Sequence, residues 1–211
     1  MGYVKWAFIL LFWVLLGSFL HYTLPHQDIA RITDTYEKRV DLEGENSLFW
    51  AQHDTGGNST VTGRDVFFIQ TRLKNGKVMV YRNEDTGWSW PPYFKVNSSN
   101  LQAEASDLKS SSEQPKWVVI RHYGWRNEFI SIFPNAISVR QVASPDVRLI
   151  PWFNIVFLTI MAALCWAVWV RWRRFREARI DPMLQDIGDS VDAAGDVVAE
   201  KSGRLRRWFT R

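Results

Sequence analysis

Two uninterrupted apolar runs bracket a stretch in which apolar and polar residues alternate. From Trp6 to Leu20 no residue is charged, and from Leu149 to Val170 the same holds for 22 residues. An α-helix rises about 1.5 Å per residue, so the second run reaches about 33 Å, enough to cross a hydrocarbon core of roughly 30 Å. Pro151 lies near its start, where a missing amide proton costs little, and Trp152 and Trp169 stand where interfacial anchors are expected. The first run, preceded by Lys5, has the length of a signal-peptide core, but Leu16 to Pro25 offers no pair of small residues two apart for cleavage. The pattern predicts an uncleaved transmembrane anchor over residues 6–24 and a second transmembrane helix over 149–170.

Between the runs the dominant period is two. Ala30, Ile32, Tyr36 and Val40 share one parity of residues 29–41, which reads as a long, partly exposed strand interrupted by Asp34 and Lys38. Residues 65–73 and 77–82 flank Lys74-Asn75-Gly76, and Asn-Gly is a strong hairpin signal. Residues 117–123 and 128–142 read as two more strands, the second bent or broken at Pro134 and Asn135. Leu101, Ala105 and Leu108 fall on one face of a short helix, with Asn100 as its expected N-cap. Residues 25–148 are therefore expected to form a mainly antiparallel β domain, β-rich α+β with one short helix, as a partly closed barrel or a sandwich. Residues 56–60 and 110–112 read as exposed loops.

Charge orients the two spans. Residues 25–148 carry 15 Lys/Arg against 15 Asp/Glu, so the net charge of +4 resides at the ends of the chain. Arg171, Arg173, Arg174, Arg176 and Arg179 crowd behind the second run, whereas only Arg148 and Arg140 lie close on its other side. By the positive-inside rule residues 1–5 and 171–211 are expected to be cytoplasmic, with the middle domain on the opposite, periplasmic, side of the membrane. The neutral middle argues against nucleic-acid binding. Asn154, Thr159 and Cys165 interrupt the apolar surface of the second span, either as an interhelical polar contact or as groups satisfied locally.

Ile180, Leu184, Ile187, Val191, Ala194, Val198, Leu205 and Phe209 recur at helical spacing, predicting an amphipathic C-terminal helix. It ends in Arg204, Arg206, Arg207 and Trp208, which with Arg171, Arg173, Arg174 and Arg176 make up the set expected at an anionic membrane surface. The same apolar stripe could instead pair with another helix and make a homo-oligomer.

Candidate chemistry is sparse. The single cysteine, Cys165, lies in the second apolar run, so the middle domain can have no disulfide, and His21, His26, His53 and His122 show no metal-ligand spacing. No nucleophile elbow, phosphate loop, zinc-protease helix or dinucleotide fingerprint is present. The expectation is a non-enzyme without metal or cofactor. Two segments stand out. Residues 86–95 place Trp88, Trp90, Tyr93 and Phe94 around two prolines, a stiff loop that could stack on a sugar, enter a membrane interface, anchor a partner, or pack over the open end of the β-structure. Residues 121–126 place His122 between arginines, either as an acid/base group with Glu128 or Asp85, or in a hairpin turning near Gly124 with Trp125 packed and Arg126 paired to an acid.

The runs Tyr81-Arg-Asn-Glu-Asp-Thr-Gly-Trp88, Trp90-Pro-Pro-Tyr-Phe94, His122-Tyr-Gly-Trp-Arg126 and Phe133-Pro-Asn135 resemble those of an uncharacterised bacterial membrane family known only as a domain of unknown function. The resemblance covers nearly the whole chain, both apolar runs included, and implies no activity, cofactor or catalytic residue. The expected role is that of a membrane-anchored accessory or scaffolding protein, held in the lipid bilayer, whose periplasmic domain binds an envelope protein or membrane complex. The alternative is a glycan- or lipid-binding module. Under either reading the candidate contacts are Trp88, Trp90, Tyr93, Phe94, His122, Trp125 and Arg126.

Overall fold

The computed structural model describes residues 2–41, 63–87, 90–183 and 185. Helix α1 (Gly2–Thr23) leads into strand β1 (His26–Asp41). Strands β2 (Gly63–Leu73) and β3 (Val78–Asn83), helix α2 (Ser98–Asp107), strands β4 (Trp117–Tyr123) and β5 (Asn135–Val142), and helix α3 (Trp152–Phe175) follow. The chain divides into two compact units, residues 1–154 and 155–211.

In the first unit the five strands close into a barrel in the order β1-β2-β3-β5-β4. The sixteen-residue β1 makes closure possible, because its first half pairs with β4, from His26↔His122 to Arg31↔Trp117, while Ala30 to Asp41 pair with β2. A register shift between Ile32 and Asp34 lets the strand bend from one partner to the other. The β2–β3 hairpin turns where the Asn-Gly pair predicts it, with Gly76 at φ 81°. All pairings are antiparallel except the last, in which β3 meets β5 in parallel at Arg82↔Asn135. This order, with one helix inserted between β3 and β4, is the Greek-key arrangement of an OB-type barrel, which resolves the choice between barrel and sandwich.

Side-chain parity fills the interior. Ala30 and Ile32 of β1, Ile69 of β2, Tyr81 of β3, Val118 and Ile120 of β4, and Ala136 and Val139 of β5 form one buried cluster, the last two brought to the same face by the register shift opposite Arg121 and His122. Helix α2 adds Leu101 and Ala105, four residues apart on one face, as the apolar spacing predicts. Two expectations need correction. The helix begins at Ser98 behind Asn97, so Asn100 lies inside it instead of capping it. Residues 128–131 form a turn, so β5 starts at Asn135, where the buried side chain joins β5 to the end of β3.

Both α1 and the continuous helical stretch Trp152–Met183 are long and apolar enough to cross a membrane, and neither apolar window is buried in protein. In the second unit, Thr159 donates back to the Ile155 carbonyl at 2.7 Å, so its hydroxyl is satisfied within the helix. Beyond the apolar stretch, Arg173 pairs with Glu177 at 2.8 Å one turn on, and residues 176–180 form a single π-helical turn. The apolar stripe from Leu184 onward, with Arg204, Arg206, Arg207 and Trp208, lies outside the described residues, as does the loop expected at 56–60.

Candidate functional site at the helix and barrel junction

Asp28 sits on β1 on the same parity as Ala30 and Ile32, so it faces inward near the beginning of the strand. Tyr81 of β3 donates its phenolic proton to Asp28 Oδ2 at 2.6 Å, and His122 of β4 places Nε2 at 3.0 Å from the same oxygen. Burial opposes the charged form of Asp28, but these two hydrogen bonds and the neighbouring imidazoles outweigh it and hold the carboxyl below the usual carboxylate range. Burial, reinforced by the Asp28 charge, pushes the Tyr81 phenol far up. An acceptor-only carboxylate fixes Nε2 as the protonated nitrogen of His122, while Nδ1 is buried with no hydrogen-bond partner among the described residues.

Three imidazoles run from this carboxylate to the end of α1. His26 lies beside His122, its pairing partner across the strands, with ring centroids 5.8 Å apart. On its other side the His21 ring is 4.5 Å away, and His26 Nε2 donates to the His21 carbonyl at 2.7 Å. His21 Nδ1 in turn accepts from the Trp125 indole at 2.9 Å.

A second buried network lies at the end of β3. Arg82 and Glu84 form an ion pair at 3.3 Å with side chains only 4% and 6% exposed. Asn135 clamps this turn, its Oδ1 accepting from the Glu84 amide at 3.0 Å while its Nδ2 donates to the Glu84 carbonyl and to the Tyr123 hydroxyl. The Lys95 ammonium is buried against Asn83 Oδ1 and the Glu84 carbonyl. Burial drives its pKa down to about 8, although Asp85 and Glu84 pull the other way. Asn83 Nδ2 bonds the Ser98 carbonyl and Gln102, which ties the network to α2.

Both networks close on the last turns of α1. The Gly124 amide donates to the Tyr22 carbonyl at 2.9 Å, and Trp125 meets the Tyr22 ring edge-on at 5.3 Å. The Tyr93 hydroxyl donates to the Thr23 carbonyl while its ring stacks on Tyr123 at 4.9 Å. Trp90 stacks on Phe19 at 5.4 Å, and Arg82 hydrogen-bonds Tyr22. Asn154 Nδ2 donates to the Pro25 carbonyl at 3.0 Å, so the first turn of α3 bonds the segment just past α1.

The four sequence runs singled out above therefore converge on one junction. Tyr93, His122 and Trp125 belong to it directly, and Trp90 contacts it while remaining 62% exposed. Phe94, at φ 50°, is exposed beside it, and Trp88 lies outside the described residues. Arg126 bonds the carbonyls of Asn127 and Ile132, rests over the Phe133 ring at 4.4 Å, and approaches Glu128 only to 3.9 Å. The acid beside His122 is Asp28, correcting the pairing with Glu128 or Asp85; Asp85 instead accepts from the Ser98 amide at the start of α2. Asp28, Tyr81, Arg82, Glu84, Lys95 and Asn135 were not among the expected site residues. A signal existed for the first: a charged residue on the core parity of β1. Among the described residues no cluster of three or more histidine, cysteine or acidic side chains could hold a metal ion. The oriented donors and acceptors of this arrangement pin the end of α1 to the barrel.

Residues 1–176 match the family described as "Protein of unknown function (DUF1523)". The chain is also similar to an uncharacterized protein of Haemophilus influenzae, 37% identical over 159 residues that cover 74% of this chain and 86% of the relative. No solved structure matches it. With a match that takes in all five strands and reaches past the end of α3, the chain belongs to the DUF1523 family.

Proposed function

We propose that this protein is a non-enzymatic accessory or scaffolding protein of the bacterial inner membrane. In this reading α1 and α3 cross the bilayer, both termini are cytoplasmic, and the barrel stands in the periplasm, where it binds an envelope protein or a membrane complex. The arginines at 171, 173, 174 and 176, directly behind the apolar part of α3, support the orientation. The observation that carries the scaffolding role is the junction itself. Its buried polar groups and stacked rings hold α1 and the barrel together, which suits a protein whose task is to present a surface at a set position. A domain tethered only to raise local concentration needs a flexible linker instead.

The test is gentle detergent extraction of the full chain, tagged at its cytoplasmic end, from native membranes. A stoichiometric membrane or envelope protein should co-purify, and alanine at exposed barrel positions should release it without loss of the fold. Recovery of the protein alone, with no crosslinked neighbour in intact cells, rejects the role.

The exposure of Trp90 and Phe94 favours a second reading, a glycan- or lipid-binding module using these rings. It requires quenching of tryptophan fluorescence by envelope glycans or lipids, lost in Trp90→Ala.

A further inference from the structure

The segment between β4 and β5 ends in a small apolar tip. Asn127 and Ile132 exchange backbone hydrogen bonds at 3.1 and 2.9 Å, which closes a four-residue turn. Asn127 Oδ1 accepts from the Phe129 and Ile130 amides at 2.9 and 3.4 Å, and Ser131 takes φ 49°. The turn is thus stiffened from within, yet the residue it holds out is phenylalanine: Phe129 is fully exposed, and Ile130 beside it is 37% exposed. Burial in the core accounts for neither side chain, and a soluble turn of this kind is ordinarily polar.

Its position supplies the explanation. The segment leaves β4 at Gly124, bonded to the Tyr22 carbonyl, and its next residue, Trp125, bonds His21. Both partners lie in the last turn of α1, just past the apolar run. Phe129 lies four residues beyond Trp125, a reach of at most about 14 Å, so the tip stays within that distance of the helix end. Trp90, stacked on Phe19 one turn earlier, and Trp125 form an aromatic collar of the kind found at headgroup depth.

We infer that the Phe129–Ile130 tip inserts into the interface of the same bilayer that α1 crosses, as a second, shallow attachment of the barrel to the lipid surface. This rests on the proposed span of α1. A protein partner is the weaker occupant, because two side chains offer a few hundred Å² at most, against about 800 Å² per partner in a stable protein interface. Insertion of a single ring into lipid needs no such area.

The test uses the full chain with Cys165→Ser and one new cysteine at Phe129→Cys, Trp13→Cys in α1, or Glu104→Cys on α2. Each is labelled with an environment-sensitive fluorophore and reconstituted in vesicles of phosphatidylethanolamine and phosphatidylglycerol. Expected at position 129 are blue-shifted emission, quenching by nitroxides carried high on the lipid acyl chains, and loss of quenching by aqueous iodide. Position 104 should show the opposite pattern, and position 13 should be quenched from the lipid alone. Iodide quenching at 129 with lipid quenching at 13 overturns the insertion while leaving the span intact. Iodide quenching at 13 overturns the span and the insertion with it. Protection at 129 that disappears as the protein is diluted in lipid assigns the tip to a second copy of the chain and also overturns the inference.

Discussion

Tyr81 and His122 share one acceptor, Oδ2 of Asp28, and so tie β3, β1 and β4 together at a single oxygen. The Tyr81 bond is the more buried of the two, since its ring is fully enclosed. Tyr81→Phe removes a hydrogen bond to a charged group and should lower barrel stability by about 1.5–3 kcal/mol at pH 7. Urea unfolding of the full chain in detergent measures it.

The same pair sets an acid dependence. A carboxyl with a depressed folded pKa contributes stability above its unfolded value of about 3.9, and that stability is lost as pH falls through the folded value. The difference between wild type and Tyr81→Phe should therefore hold from pH 7 to about 5 and narrow below about 4. A difference that is flat down to pH 2 contradicts an ionised Asp28.

Lys95 sets the alkaline side. Its folded pKa of about 8 lies below the unfolded value of roughly 10.4, so between these the unfolded chain binds a proton that the native state has shed. This group's contribution to stability should rise with pH across that window, until the raised phenols of Tyr81, Tyr93 and Tyr123 begin to oppose it above about pH 10. Lys95→Met should flatten the rise, read as unfolding temperature against pH.

The strands were legible because parity and turn chemistry act locally. Asn75-Gly76 and the run from Trp117 to Tyr123 carry their own geometry, and the structure follows both. The helix at 98–107 was legible for the same reason. Barrel closure was not, because it depends on β1 serving two partners through one register shift, which a one-strand pattern does not encode. The junction was half legible: unusual aromatics and His122 marked its loops, but their partners Asp28, Tyr22 and Asn135 come from elements far apart in sequence. Only the folded chain pairs them.

Gly124 offers a backbone test of the junction. Its φ of 88° disfavours any side chain, and an added Cβ would meet Pro134 and the Tyr22 ring at 3.6 Å. Gly124→Ala should cost about 1–3 kcal/mol through backbone strain alone. Because the Gly124 amide holds the Tyr22 carbonyl, protease cleavage near residues 21–25 should also accelerate. Unchanged cleavage kinetics would show that this bond does not hold the helix end.

The stack of Trp90 on Phe19 should contribute about 0.5–1.5 kcal/mol of coupling in a double-mutant cycle with alanine at both positions. Additive single effects would mean that the rings are neighbours without mutual stabilisation.

Only Leu24 and Pro25 separate α1 from β1, and the Leu24 amide still bonds back to Leu20 at 2.8 Å. A joint this short acts as a rigid coupling: torque applied to the helix reaches the barrel with almost no slack. A lean of α1 by a given angle swings the barrel through nearly the same arc, and a force on the barrel returns along the helix as a bending moment at Pro25.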